Sequence, residues 1–314
     1  MTDHIIIGGG VIGLTLAYSL ACQNESVLVL ERETCGQGTS RAAAGMLATD
    51  IELRDELHAL AARSRRLYPL LARRLERETG IDCGYLEQPF LLKRDGQEYL
   101  FPSAGQIDPR RMTNALMCAL HARGVSIEEQ VDVTRLEESD DVVKIESNTG
   151  IWTGRTVTVA AGRGSQAILA TAGISIATYG VKGECLAVRL AGRPLSSILF
   201  NDSVYLVPKA DGRILIGATE LPHDETVGVS VAGVTSLLHA AVRLYPPIRD
   251  AVIEEVWSGV RPQTISGLPY IGVASSSRRI FLATGHHRHG ILLAPATAEV
   301  LANTLRLIQK EEVR

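Results

Sequence analysis

The chain has 314 residues, of which 46% are hydrophobic and 21% are charged, as in a globular protein with a buried core. Its formal net charge of -3 excludes the electrostatic attraction on which nucleic-acid and anionic-membrane binding depend, so we expect neither partner. The five cysteines form no C-x-x-C pair. This argues against a disulfide framework or a zinc site and favours the reducing cytoplasm.

The apolar stretch at residues 5–21 has glycines in its first half and no basic cluster before it, so we do not expect a signal peptide. No other run reaches the roughly 18 to 20 uninterrupted apolar residues that a membrane-spanning helix needs. The sequence therefore predicts a soluble protein and leaves a homo-oligomer open.

The first thirty residues predict a βαβ unit. Residues 4–7 and 27–30 are short apolar runs typical of buried strands, and residues 11–22 have helical character. A glycine-rich turn joins the first strand to the helix.

Spacing and turn residues predict the later elements as helices at 54–79, 109–123, 231–244 and 290–308, and strands at 125–129, 142–146, 156–160 and 280–283. Pro69 is expected to kink or divide the first of these helices. Residues 181–218 contain successive β segments separated by Gly, Pro and Asp, which predicts an antiparallel sheet.

The turn after the first strand reads Gly-Gly-Gly-Val-Ile-Gly, which matches G-x-G-x-x-G. Gly8 permits the tight turn, Gly10 lets the backbone approach a pyrophosphate, and Gly13 lets helix and strand pack closely. Glu31, at the end of the second strand, would accept hydrogen bonds from ribose hydroxyls and disfavours the 2′-phosphate of NADP. NAD and FAD both remain, and so does the alternative of a glycine-rich turn in some other α/β fold.

Small and hydroxyl-bearing residues at 35–46 favour an extended cofactor over NAD. With the glycine turn, the run Thr-Ser-Arg-Ala-Ala-Ala-Gly-Met-Leu at 39–47 resembles the D-amino-acid oxidase family of flavoenzymes. Further motifs resemble the glycine oxidase branch of that family, used in thiamine biosynthesis; they lie at residues 181–186, 259–262, 269–272 and 285–297.

The resemblance implies an α/β fold in which a Rossmann-like FAD-binding domain is joined to a second, antiparallel β-sheet-based (α+β) substrate domain. We expect the first domain at residues 1–80, 107–175 and 252–314, and the second at 81–106 and 176–251. The resemblance also implies non-covalent FAD and oxidation of glycine or a small amine to an imine. The imine hydrolyses to an α-keto acid and ammonia, and molecular oxygen reoxidises the flavin to give hydrogen peroxide.

The resemblance implies three substrate-side residues: Arg261 as the carboxylate anchor, Arg288 as a second arginine, and Tyr205. A planar guanidinium suits a buried carboxylate because it offers two parallel donors. The residues expected at the cofactor are Gly8, Gly10, Val11, Ile12, Gly13, Glu31, Arg32, Thr39, Ser40, Ala44, Gly45, Met46, Val133, Gly162, His286, His287, Arg288, His289, Gly290, Ile291 and Leu292.

The histidines at 286, 287 and 289 do not predict a metal site, because neighbours in one turn rarely reach one ion and no Asp, Glu or Cys completes the set. No residue stands out as a general base, and direct hydride transfer to a flavin needs none.

The chain departs from the resembled branch in four places. It is roughly 30 to 40 residues shorter between 93 and 108, and Arg41 stands where a small hydroxyl-bearing residue is common. Ser203 replaces a histidine, and Glu220 replaces an apolar residue beside the substrate. The alternatives are therefore an oxidase of another small D-amino or N-methyl amino acid, a flavin-binding protein without turnover, and, more distantly, an NAD-linked dehydrogenase.

Overall fold

The computed structural model describes residues 2–49, 53–102, 104–192 and 195–312. Their helices are α1 (Val11–Ala21), α2 (Thr39–Ala42), α3 (Asp55–Thr79), α4 (Pro109–Ala122), α5 (Ser165–Ala170), α6 (Val231–Leu244) and α7 (Gly290–Glu312). Short 3₁₀ turns lie at Gly162–Gly164, Pro246–Asp250 and His287–His289.

The strands are β1 (Thr2–Ile7), β2 (Val27–Leu30), β3 (Leu86–Glu87), β4 (Phe90–Arg94), β5 (Gln97–Phe101), β6 (Gly105–Gln106), β7 (Ser126–Glu128), β8 (Val133–Glu138), β9 (Val143–Ser147), β10 (Gly150–Val159), β11 (Thr178–Arg189), β12 (Ile198–Phe200), β13 (Tyr205–Pro208), β14 (Arg213–Gly217), β15 (Leu221–Pro222), β16 (Val252–Thr264), β17 (Tyr270–Val273) and β18 (Ile280–Thr284).

The first sheet has the order β17-β18-β10-β1-β2-β7, and the β8–β9 hairpin extends from β10. Its central pairs, from β18 to β7, are all parallel. Parallel neighbours need crossover connections, and α1 supplies the one between β1 and β2. The turns after β1, β2, β10 and β18 therefore open at one edge, the carboxyl ends of the strands, where open α/β sheets bind ligands.

Helices α1, α3, α4 and α7 pack on one face of this sheet. Leu14 and Leu16 of α1 are fully buried between the sheet and the other helices. Of the described helices, α7 is the one long and apolar enough to cross a membrane, over His287–Ile308. However, 61% of that apolar window is buried inside the protein, against α1 and α3, so its composition is that of a core helix.

The second sheet has the order β15-β11-β14-β13-β12-β4-β5, and β16 pairs with the other edge of β11. Its pairs are antiparallel except for β12 with β4, and α6 covers one face. The segment at 252–264 was expected in the FAD-binding domain, yet it lies along β11 for its whole length. This strand therefore extends the second sheet.

The predicted fold class is confirmed, because a parallel α/β sheet and an antiparallel sheet share one chain. Pro69 was expected to kink or divide α3, and it does not divide the helix, which is continuous from Asp55 to Thr79. Tyr68 and Ala72, on either side of the proline, are buried in the helical core, and this packing holds the helix through Pro69. Strands β3 to β6, β8 and β15 to β17 were not predicted.

Helix α1 packs so closely on β1 at Gly13 that no larger residue fits there without a shift of the helix. A Cβ atom on Gly13 would lie 2.0 Å from the carbonyl oxygen of Gly8 and 3.1 Å from Cγ2 of Ile6. Gly13→Ala should therefore force α1 away from β1 and lower the free energy of unfolding by about 1 to 3 kcal/mol, as overpacking does. Urea denaturation measures the change. Gly164→Ala is the control, because its Cβ would meet its nearest neighbour at 3.8 Å; an equal loss in both variants would contradict the explanation.

Lys209, directly after β13, ties the second sheet to two segments that precede α3 and α4. Its Nζ donates to the carbonyl of Ala44 at 2.7 Å, to Oε1 of Gln106 at 2.9 Å and to the carbonyl of Ile107 at 3.2 Å. Burial lowers the pKa of this lysine to about 8. The three hydrogen-bond acceptors are neutral oxygens, and they do not offset the full cost of desolvating the ammonium.

This lowered pKa predicts a pH dependence of stability. Between about pH 8 and pH 10.4 the unfolded chain keeps the proton that the folded chain releases, so the free energy of unfolding rises with pH. The wild-type value minus that of Lys209→Met should increase across this window by roughly 2 to 3 kcal/mol. Urea denaturation at several pH values measures this difference. The control is Lys93→Met, because Lys93 lies in the edge hairpin and is paired with Glu98. A flat difference would mean that the ammonium is not destabilised by burial.

Candidate active site

A cavity of about 610 Å³ lies between the carboxyl ends of the parallel strands and one face of the second sheet, a size usual for ligand sites. Its walls contain every sequence-predicted site residue except Gly13. These are Gly8, Gly10, Val11, Ile12, Glu31, Arg32, Thr39, Ser40, Ala44, Gly45, Met46, Val133, Gly162, Tyr205, Arg261, His286, His287, Arg288, His289, Gly290, Ile291 and Leu292.

The glycine turn forms one part of the wall. Gly8 has φ +115, and a Cβ there would lie 2.4 Å from the carbonyl oxygen of Ala160 at the end of β10. The turn brings the N-terminus of α1 to the cavity, where Gly10 provides no side-chain cap and the amide of Val11 donates to Oγ of Ser40 at 2.9 Å. Backbone donors and the helix dipole therefore favour a negatively charged group in this part of the cavity.

Glu31 lies at the end of β2, beside the glycine turn. Its Oε2 accepts from the amide of Gly9 at 2.7 Å, and its Oε1 accepts from the amide of Glu33 at 2.9 Å. The carboxylate thus braces the turn, which the sequence did not predict. Both oxygens keep a second lone pair for a ligand hydroxyl, because a carboxylate offers about four acceptor sites.

The segment at 39–46 lies between the two sheets. Oγ1 of Thr39 donates to the carbonyl of Val260 in β16 at 2.5 Å, and Nε1 of Trp257 donates to the carbonyl of Ala42 at 3.1 Å. Lys209 adds the bond to Ala44 described above. Residues of the second sheet therefore position a segment predicted to bind the cofactor, and neither Trp257 nor Lys209 was singled out from the sequence, because a lone residue in a strand gives no pattern.

Arg261 projects from β16 across the neighbouring strand β11. A Cβ on Gly183 would lie 2.3 Å from Nη2 of this arginine, so the glycine provides the room for the guanidinium. Nη1 donates to the carbonyl of Thr219 at 3.4 Å. Among the described residues, Arg261 makes no ion pair with a carboxylate. Its charge is therefore available to an anionic ligand in the cavity.

Tyr205 of β13 lies opposite Gly217 of β14, where a Cβ would meet its hydroxyl oxygen at 2.4 Å. The hydroxyl is 3.5 Å from Sγ of Cys185. Cys185 and Gly183 point to the same face of β11, so Tyr205 and Arg261 are neighbours on that face. Burial raises the pKa of Tyr205 well above its usual value, so the phenol keeps its proton and can donate a hydrogen bond.

The turn before α7 brings the predicted histidines together. Nε2 of His286 contacts Oγ1 of Thr297 at 3.1 Å, and burial lowers the pKa of His286 to about 3. His287 has φ +50, and its Nε2 is buried with no hydrogen-bond partner among the described residues. Burial, with help from Arg261 and Arg288, lowers its pKa to about 3 as well. Both rings are therefore neutral near pH 7.

Arg288 and Glu220 face each other where the cavity opens. Nη2 of Arg288 is 3.9 Å from Oε1 of Glu220, and both side chains are exposed. The same oxygen lies 3.7 Å from Nε2 of His287, although the neutral ring makes this contact no ion pair. Glu220 was predicted beside the substrate, and the structure places it at the same cavity as Arg261 and Tyr205.

The geometry can hold a long ligand in one orientation. One region offers amides, a helix N-terminus and the carboxylate Glu31, which suit phosphates and a ribose. The other offers Arg261 and the phenol of Tyr205, which suit a small carboxylate. The N-terminus of α7, at Gly290, lines the same cavity.

The sequence matches the family described as FAD dependent oxidoreductase (DAO) over residues 3–98 and 89–304. The chain is 33% identical to the glycine oxidase of Geobacillus kaustophilus (strain HTA426), over 99% of this chain and 93% of that protein. It is 34% identical to the bifunctional protein ThiO/ThiG of Trichormus variabilis (strain ATCC 29413 / PCC 7937), over 96% of this chain and 52% of that longer protein.

The fold is also similar to a solved structure. A crystal structure of glycine oxidase from Geobacillus kaustophilus matches with a TM-score of 0.94 and 32% identity, over 98% of this chain and 95% of that chain. The family match covers nearly the whole chain, and both sheets are included in it. This chain belongs to the DAO family of FAD-dependent oxidoreductases.

Proposed function

We propose that this enzyme uses FAD to oxidise glycine or a similar small amino acid. The observation that carries the proposal is one continuous cavity. Its wall includes the glycine turn with Glu31 and, across from the parallel sheet, Arg261, which makes no ion pair with a carboxylate of the described residues. The product would be an imine, which water converts to an α-keto acid and ammonia. Oxygen would be reduced to hydrogen peroxide. The printed names of the similar glycine oxidases support this substrate class.

The residues around the cavity fit FAD. Gly8 and Gly10 would let the backbone approach the pyrophosphate at the N-terminus of α1, and Glu31 would accept from the ribose hydroxyls. The segment at 39–46 and the turn at 286–292 would lie along the rest of the cofactor. We propose non-covalent binding, because Cys185 is the cysteine of the five that lines the cavity, and burial raises the pKa of its thiol, which keeps it a poor nucleophile.

At the substrate end, Arg261 would bind the carboxylate through its planar fork, and the phenol of Tyr205 would donate a further hydrogen bond. Together they would fix the orientation of the Cα–H bond, which accounts for a large part of such catalysis. When bound, FAD supplies the acceptor for the hydride equivalent. The neutral ring of His287 beside Arg261 leaves the charge of the guanidinium undiminished.

Three related proposals follow from the sequence. Residues 1–80, 107–175 and 252–314 would form the FAD-binding part, and 81–106 with 176–251 the substrate part. Because residues 252–264 pair with β11, β16 would join the two parts. We propose a cytoplasmic location and, from the resemblance, a role in thiamine biosynthesis.

The first test is the colour and the turnover of the purified protein. It should carry the visible absorbance of flavin, and acid precipitation should release FAD into the supernatant. Glycine should then give hydrogen peroxide and ammonia in equal amounts. If peroxide forms with sarcosine or small D-amino acids but not with glycine, the enzyme is an oxidase of N-methyl or D-amino acids. A yellow protein that gives no peroxide with any of these would indicate flavin binding without turnover and overturn the oxidase proposal.

The second test is the carboxylate anchor. Arg261→Ala should lower kcat/KM for glycine by about 30-fold to several thousand-fold, because a buried charge-assisted pair is lost. Arg261→Lys should restore only part of it, since an ammonium lacks the planar fork. Oxidation of ethylamine, which has no carboxylate, should change little, and the FAD content should stay normal.

The matched control is Arg163→Ala. Arg163 also lines the cavity, but unlike Arg261 it is paired with a carboxylate, that of Glu225 at 3.6 Å. Its kcat/KM for glycine should remain close to wild type. If Arg261→Ala lowers the rates with glycine and ethylamine equally, Arg261 acts in folding or flavin binding and the anchor assignment is wrong.

A further inference from the structure

A carboxylate stands beside the two arginines of the proposed substrate site. Glu220 directly follows Thr219, whose carbonyl accepts from Arg261 at 3.4 Å. Its Oε1 lies 3.9 Å from Nη2 of Arg288 and 3.7 Å from Nε2 of His287. Glu220, Arg261, Arg288 and His287 all line the cavity. A carboxylate in this position changes what the arginines can bind.

The carboxylate is balanced by the arginine and not by the histidine. Burial and the neighbouring arginines lower the pKa of His287 to about 3, so its ring is neutral near pH 7. Another cavity-lining carboxylate, Glu225, has its own partner in Arg163 at 3.6 Å. Of the described residues, Glu220 thus adds a negative charge beside the arginines Arg261 and Arg288. This charge opposes the entry of a second substrate carboxylate.

We propose that Glu220 restricts the site to amino acids with a single carboxylate, by engaging Arg288 and by repelling a second carboxylate. This inference rests on the proposed function and names its substrate class: small monocarboxylic amino acids, including those whose nitrogen bears a neutral group. The residue acts on specificity, since Arg261 remains the anchor for the first carboxylate.

The size of the effect follows from the exposure of the pair. Glu220 and Arg288 have side chains exposed by 49% and 42%, so water and salt screen their charges. Removing one charge several ångströms from a bound carboxylate in such surroundings changes affinity by about 5- to 10-fold. Selectivity between one and two carboxylates should change by that factor, and it should shrink as the ionic strength rises.

The test compares sarcosine with iminodiacetate on the holoenzyme. The two substrates share a secondary amine and the glycine unit, and iminodiacetate adds a second carboxylate. Glu220→Gln should raise the ratio of kcat/KM for iminodiacetate to that for sarcosine by about 5- to 10-fold over wild type. In the double variant Glu220→Gln/Arg288→Gln most of this gain should disappear, because the arginine that would bind the second carboxylate is gone.

Asp202→Asn is the control, since it removes a negative charge from the wall of the same cavity, while its partner Arg94 does not line that cavity. Its ratio should stay at the wild-type value. An unchanged ratio in Glu220→Gln, or an equal rise in Asp202→Asn, would overturn the inference.

Equilibrium binding separates this inference from the proposed function. The dissociation constants of acetate and malonate are measured from the changes that they cause in the flavin spectrum. Glu220→Gln should favour malonate over acetate by the same 5- to 10-fold. If the wild type oxidises neither amino acid, the proposed substrate class fails, yet a shift in the malonate ratio still supports the role of Glu220. If the ratio of the two dissociation constants does not change, Glu220 does not have this role, whether or not the enzyme oxidises the amino acids.

Discussion

At Gly259, strand β16 approaches helix α2 so closely that a Cβ atom would lie 2.5 Å from the Cβ of Ala42. The next carbonyl, that of Val260, accepts a hydrogen bond from Thr39, and the residue after it is Arg261. Three consecutive residues thus contact the proposed cofactor segment and carry the proposed substrate anchor. The backbone of β16 therefore sets the spacing between the two ligands, and orientation of this kind is what a direct hydride transfer requires.

The electrostatics of the cavity depend on burial as much as on charge. Burial holds His287 in its neutral form and Tyr205 in its protonated form, because each would have to carry a charge away from water. Arg261 keeps its charge, since a guanidinium does not lose its proton in proteins. His287 and Tyr205 therefore add no charge beside the proposed substrate near neutral pH. The positive charge at Arg261 is then a fixed property of the site.

Local patterns in the sequence predicted the first βαβ unit and most of the helices. The three glycines and Glu31 lie within one unit of about 30 residues, so a local pattern is enough to single them out. The strand that pairs with β16 was not predictable in this way. It is β11, more than sixty residues earlier, and the sequence of β16 contains no pattern that indicates which sheet it joins. Lys209 was missed for the same reason, since its three acceptors are distant in sequence and two of them are backbone carbonyls.

The shape of the substrate end of the cavity depends on two glycines, which an analysis of side-chain chemistry does not single out. Gly183 and Gly217 interrupt apolar strands, and in the sequence they were interpreted as separators between β segments. In the structure Gly183 lies under the guanidinium of Arg261, and Gly217 lies under the phenol of Tyr205. A glycine weakens a strand, so its presence in a paired position indicates that another group approaches closely there. Two residues without side chains therefore decide where the arginine and the tyrosine can lie, and a comparison of polar residues alone would overlook both.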